Sequence, residues 1–86
     1  MATLRKLVER FLAEPPDVTF TEVQTLLGAF GYRERPTKGS HHVFVRAGHS
    51  IVTVPTVGGR RVKRTYVRKI NDLLGLEEWH EKDERA

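Results

Sequence analysis

Lys38-Gly39-Ser40-His41-His42 places a cation, a flexible backbone step, a hydroxyl and two imidazoles within five residues. Glycine lets a phosphate approach the main chain closely, and Ser40 offers both a hydroxyl and an amide. Lys38 adds positive charge. An imidazole with an unperturbed pKa near ~6.5 can accept or donate a proton at neutral pH. Together these groups suit metal-free cleavage of a phosphodiester. On RNA, a base would take the proton of a 2′-OH, whose oxygen then attacks the adjacent phosphate. Side chains alternate along a strand, so His41 and His42 cannot both serve one site without a bulge. His41 shares a face with Val43 and Val45 unless it belongs to the preceding turn, and His42 lies with Phe44. Parity alone does not select between them. An ordinary solvated or structural pair at a turn–strand junction has the same spelling. A metal site built from His41, His42 and His49 lacks a nearby Asp, so neither a metal nor a cofactor is expected. His80 reads as a solvent residue.

A second group is Arg60-Arg61-Val62-Lys63-Arg64, followed by Arg68. One reading is a solvated loop and helix face. The other is a phosphate-binding strip, in which backbone N–H groups at a helix start add to the positive field. Cations there oppose the helix dipole, a cost that favours the binding reading. Tyr32, Phe44 and Tyr66 each could stack on a base, but such residues more often fill a core. Trp79 either folds back on the core or marks a contact surface.

The charge distribution supports a polyanionic partner. Fifteen Lys and Arg stand against eleven Asp and Glu, a net of +4. Between Arg33 and Lys69 there are ten bases and one acid, Glu34, whereas Glu77 to Ala86 holds five acids and two bases. Nucleic acid is the first partner such a field attracts, with an acidic membrane or protein behind it. Eighty-six residues have room for one core. The absence of cysteine excludes disulfides, Cys-based zinc sites and thiol nucleophiles. The N-terminal residues lead into a charged amphipathic segment rather than an apolar signal core, and no apolar run spans a membrane; the expected location is the cytoplasm.

The elements that must position these groups follow from periodicity. Leu4, Leu7, Val8, Phe11 and Leu12 form one helical stripe, stopped by Pro15-Pro16. Thr19 and Glu22 spell a capping box, with Val18 and Val23 as its staple. The helix they start carries Phe20, Val23, Leu26, Leu27 and Phe30 on one face and ends at Gly31. The length of the connector predicts that these two helices pack as a hairpin. Tyr32 to Arg35 reads as a strand, Thr37 to Ser40 as a turn, and His42 to Val45 as a second strand. Ile51 to Val54 is a third strand, and Gly58-Gly59-Arg60-Arg61 a mobile basic loop. A last helix runs from Lys63 or Arg64 to Leu74, with Gly75 as its stop.

From Phe20 to Leu76 the chain resembles the HicA-type toxins, small ribonucleases of toxin–antitoxin pairs. The matching residues are Phe30-Gly31-Tyr32, Lys38-Gly39-Ser40-His41-His42-Val43-Phe44, Ile51-Val52-Thr53-Val54-Pro55, a Gly-containing loop and Thr65-Tyr66-Val67-Arg68-Lys69-Ile70. The resemblance implies an α+β fold like the double-stranded-RNA-binding domain: α-β-β-β-α with a three-stranded antiparallel sheet, here with an extra N-terminal helix. It divides the chain into an extension over 1–14, the HicA-like domain over 18–76 and an acidic tail over 77–86. It also implies a stress-response mRNA interferase, an endoribonuclease neutralised by a HicB-type antitoxin that covers its active site. In the family motif the histidine directly after Gly-Ser carries catalysis, here His41; His42 becomes a neighbour that packs or contacts substrate. Lys38, Gly39, Ser40, Arg60, Arg61, Lys63, Arg64 and Arg68 are then the residues expected to hold RNA. Thr56 follows Pro55 where relatives place another polar or histidine residue, leaving one histidine to work serially or with water. The extension and tail mark a longer variant of the family, a homodimer surface or a different antitoxin contact. Two rival readings remain: a non-catalytic module that binds structured RNA by shape, and an adaptor docking an acidic protein.

Overall fold

The computed structural model describes residues 3–35, 39 and 41–85, with Glu84 and Arg85 by backbone alone. Helix α1 (Leu4–Leu12) forms on the predicted stripe, and the hydroxyl of its N-cap Thr3 accepts from the Lys6 N–H at 3.2 Å. Beyond it the chain turns at Glu14, a non-glycine residue with φ 51°. Such left-handed backbone costs an L-residue of order 1 kcal/mol and persists where its surroundings hold it. Here the Glu14 carbonyl accepts from Arg64 at 2.8 Å, and its carboxylate pairs with Arg68.

Strand β1 (Asp17–Thr19) feeds directly into helix α2 (Phe20–Ala29). The capping box is present in full: the Thr19 hydroxyl accepts from the Glu22 N–H at 3.1 Å, and Glu22 accepts from the Thr19 N–H at 2.9 Å. Burial pushes the Glu22 carboxyl up, but the Thr19 donors and the Arg10 guanidinium outweigh it and hold the group below its usual value. A depressed folded-state pKa means that this stabilisation is present above the unfolded pKa and is lost as pH falls through the folded one. Thr19→Ala removes the cap and is expected to cost about 1 kcal/mol. A shift in the urea midpoint at unchanged slope, shrinking in acid, checks this.

Strands β2 (Arg33–Arg35), β3 (His41–Val45) and β4 (Val52–Pro55) form the expected three-stranded antiparallel sheet, with β3 in the centre. Arg35 lies opposite Val43, and Val43 opposite Thr53. His41 is the first residue of β3, opposite Pro55, and so belongs to the strand rather than to the turn before it. Tyr32 precedes β2 and is buried.

Two features depart from the expected pattern. Arg61 is not part of a basic loop: strand β5 (Arg61–Lys63) pairs antiparallel with β1, setting Val62 opposite Val18. Both valines are fully buried, and that shared burial explains why three residues at each end hold a ribbon. Helix α3 (Arg64–Leu74) follows, ending at Gly75, whose φ of 60° suits a residue without a Cβ. The acidic segment after it is also ordered, as helix α4 (Leu76–Arg85). Leu76 is fully buried and Trp79 partly so, the indole meeting the Phe30 ring edge-on at 6.0 Å. Glu9 of α1 joins His80 of α4 at 2.9 Å, and Arg5 approaches Asp83 at 3.9 Å. The hydrogen bond from His80, opposed by slight desolvation and assisted by Arg5 and Lys6, holds the Glu9 carboxyl below its ordinary value.

The fold is therefore α+β. Helices α1 and α2 pack together as expected, with β1 between them in sequence. One core joins all elements but β2: Phe11 of α1, Leu26 and Leu27 of α2, Phe44 and Val54 of the sheet, Val18 and Val62 of the ribbon, Ile70 of α3 and Leu76. No helix among the described residues is long and apolar enough to cross a membrane.

Candidate active site and basic surface

Burial along β3 decides which way each histidine points. Phe44 is buried with Val54, so the side of the sheet carrying His42, Phe44, Val52 and Val54 faces the helices. His42 is part-buried there. Its ring lies 4.0 Å from that of Phe20, at the start of α2. Its Nδ1 stands 3.2 Å from Oε2 of Glu34, and since a carboxylate only accepts, Nδ1 carries the proton. Oε1 of Glu34 in turn accepts from Gln24 Nε2 at 2.7 Å. Glu34, the lone acid of the basic stretch, thus ties β2 to β3 and α2. Residue counting singled it out without revealing its task, because its partners come from two other elements, α2 and β3.

His41 lies on the opposite, outward side and is exposed. Gly39, two residues earlier, has φ +85° with open space where a Cβ would stand. The turn therefore uses the conformational freedom of glycine, and a backbone approach there is unobstructed. Lys38 and Ser40 lie outside the described residues. Thr56, directly after the Pro55 that pairs with His41, is buried. His49 stands in the turn at the other end of β3, its ring 6.2 Å from that of Tyr32, well removed from His41 along the strand.

The basic strip divides into two groups. Arg61 Nη1 donates to Asp17 Oδ1 at 2.6 Å, Arg64 Nε to the Glu14 carbonyl, and Arg68 pairs with the Glu14 carboxylate. Arg64 and Arg68 tether the connector between α1 and β1, and Arg61 the first residue of β1. The Glu14 carboxylate on Arg68 and the Glu14 carbonyl on Arg64 offset part of the dipole cost of cations in the first turns of α3. Arg60 and Lys63 are exposed and have no carboxylate partner among the described residues. The Arg60 carbonyl accepts from the Phe20 N–H at 2.7 Å, so this loop is anchored at the start of α2. Lys63 is the N-cap of α3 but makes no side-chain capping bond. Tyr66 packs against the core, with Lys69 Nζ 5.0 Å from its ring centre. The strip is accordingly part structural tether and part available cation, and it is not the continuous field its spelling suggests.

The fold is α+β, and its three-stranded sheet carries an exposed histidine, His41, on the open side. The family described as HicA toxin of bacterial toxin-antitoxin matches residues 20–77, from the first residue of α2 to the start of α4. The chain belongs to this family, and is thus the toxin member of a toxin–antitoxin pair, with an antitoxin as its partner. Helix α1, strand β1 and most of α4 lie outside the match. No curated protein and no solved structure matches the chain.

Proposed function

We propose that the protein is an endoribonuclease that cleaves mRNA through His41 without a metal, and that a HicB-type antitoxin silences it in the cytoplasm by covering that residue. The observation that carries this reading is the exposure of His41 at the head of β3, two residues after a left-handed Gly39, while His42 is turned inward onto Phe20 and Glu34. Membership of the HicA family supports the substrate class.

In the proposed reaction the His41 imidazole takes the proton of a 2′-OH. The 2′-oxygen bonds to the adjacent phosphorus and the P–O5′ bond breaks. The departing 5′-oxygen takes a proton from the imidazolium or from water, giving a 2′,3′-cyclic phosphate and a 5′-OH. Gly39 with Ser40 and Lys38 holds the scissile phosphate. The cations Arg60, Arg61, Lys63, Arg64 and Arg68 supply the longer-range field, Arg60 and Lys63 foremost. His42 serves as the packing neighbour that steadies the head of β3. The proposed likeness to a double-stranded-RNA-binding domain is supported by the order α2, β2, β3, β4, α3, although β5 stands between β4 and α3 and the β1–β5 ribbon and two helices are additional.

The test is end-group analysis of a labelled RNA incubated with purified protein in excess EDTA. The expected result is cleavage with cyclic-phosphate ends at a rate that Mg²⁺ does not restore or raise. Retardation of the RNA without cleavage in either condition would instead establish a binding module.

A further inference from the structure

We infer that the outward face of the three-stranded sheet is a track for single-stranded RNA, with Arg33 and Arg35 as phosphate clamps leading to His41. The inference rests on the nuclease reading and extends it to residues outside both the Gly-Ser-His motif and the basic strip. Glu34 reaches Gln24 and His42 on the helix side, so its neighbours Arg33 and Arg35 project to the other. Both are exposed, and neither has a carboxylate partner among the described residues. Opposite them stand Val45 and Val43, part-buried but outside the core, with exposed Thr53 beyond Val43. His41 completes the face two residues along β3 from Val43.

The geometry fits a nucleotide strand. Arg35 and His41 are diagonal neighbours on one face, about 7–8 Å apart at that position in an antiparallel pair. That spacing separates their backbone positions and is within reach of a side chain as long as arginine, so one phosphodiester can be met by both residues. Arg33 and Arg35 are spaced by two residues of strand, about 7 Å, comparable with successive phosphates of an extended chain. Among the described residues the face carries no carboxylate, because Glu34 is turned away from it. Three strands about 4.8 Å apart give a platform one nucleotide strand wide, too narrow to follow two grooves of a duplex. With no aromatic side chain on it among the described residues, the platform offers phosphate and aliphatic contacts rather than base stacking, so weak sequence preference is expected.

The test compares wild type with Arg33→Ala/Arg35→Ala, Arg33→Lys/Arg35→Lys and, as a reference away from the face, Glu9→Gln. Binding of a non-cleavable 2′-O-methyl oligonucleotide is followed by fluorescence anisotropy across a salt series, and cleavage of the matching RNA by initial rates. The double alanine variant is expected to bind about 30-fold more weakly, with the salt slope reduced by about 1.4, the value for two single-strand phosphate contacts. KM rises and kcat holds. The lysine pair restores most of the affinity, and Glu9→Gln matches wild type. Wild-type affinity and slope in the alanine variant, beside active wild type, would overturn the track alone; loss of antitoxin binding in that variant with RNA binding intact would assign the face to protein docking instead. A wild type that neither binds nor cleaves RNA would overturn the nuclease reading along with it.

Discussion

His41→Ala is expected to lower RNA cleavage by about 10²–10⁴-fold, the usual contribution of a positioned acid–base group, while leaving the fold unchanged. The side chain is exposed at the head of β3 and lies outside the core cluster, so its removal opens no cavity. The strand is held by backbone pairing to both neighbours and by Phe44 beneath it, none of which depends on the imidazole. Initial rates on labelled RNA, circular dichroism and growth after induced expression separate chemistry from folding in one comparison. A variant that arrests growth and cleaves RNA as wild type does would remove His41 from the mechanism. A variant that loses both activity and cooperative unfolding would show a structural residue in its place.

Phe11→Ala is expected to cost about 3–5 kcal/mol, the range for truncating a buried aromatic. For a domain of this size whole stability lies at the low end of about 5–15 kcal/mol, so the variant is marginal at physiological temperature. Phe11 belongs to α1, outside the stretch matched to the HicA family, yet its side chain is fully buried. The helix packs on α2, α3 and α4, and the Phe11 carbonyl accepts from Asn71 Nδ2 at 2.8 Å. Each kcal/mol lowers the melting temperature of a domain this small by about 4–8 °C. A fall of at least about 12 °C in thermal unfolding is therefore the expected reading. A change within a few degrees would mean that α1 is a detachable preface and that residues 20–77 form the cooperative unit.

Thr19 and Glu22 illustrate what was legible in the chain: a capping box is a local pattern, and its four atoms meet whatever the rest of the molecule does. The apolar stripe of α1 and the alternation of β3 were legible for the same reason. Strands β1 and β5 were not, because three residues carry too little periodicity and their partners lie more than forty residues apart. Nor was α4, whose apolar side is reduced to Leu76 and Trp79 among charged residues. Such a segment has weak grounds to be helical alone and becomes so by leaning on α1 and α3. Arg61, Arg64 and Arg68 spell a phosphate strip, yet Asp17 and Glu14, distant in sequence, engage them.

By itself the sequence determined the family, the helix boundaries set by caps and glycines, and the rule that His41 and His42 must point apart, since all three depend on near neighbours. Only the tertiary structure decided which of them is exposed. Strand parity fixes a relation between two side chains, and a direction emerges once one face of the sheet has helices to bury against. Phe44 and Val54 take that face, His42 goes with them, and His41 is left outward beside two arginines.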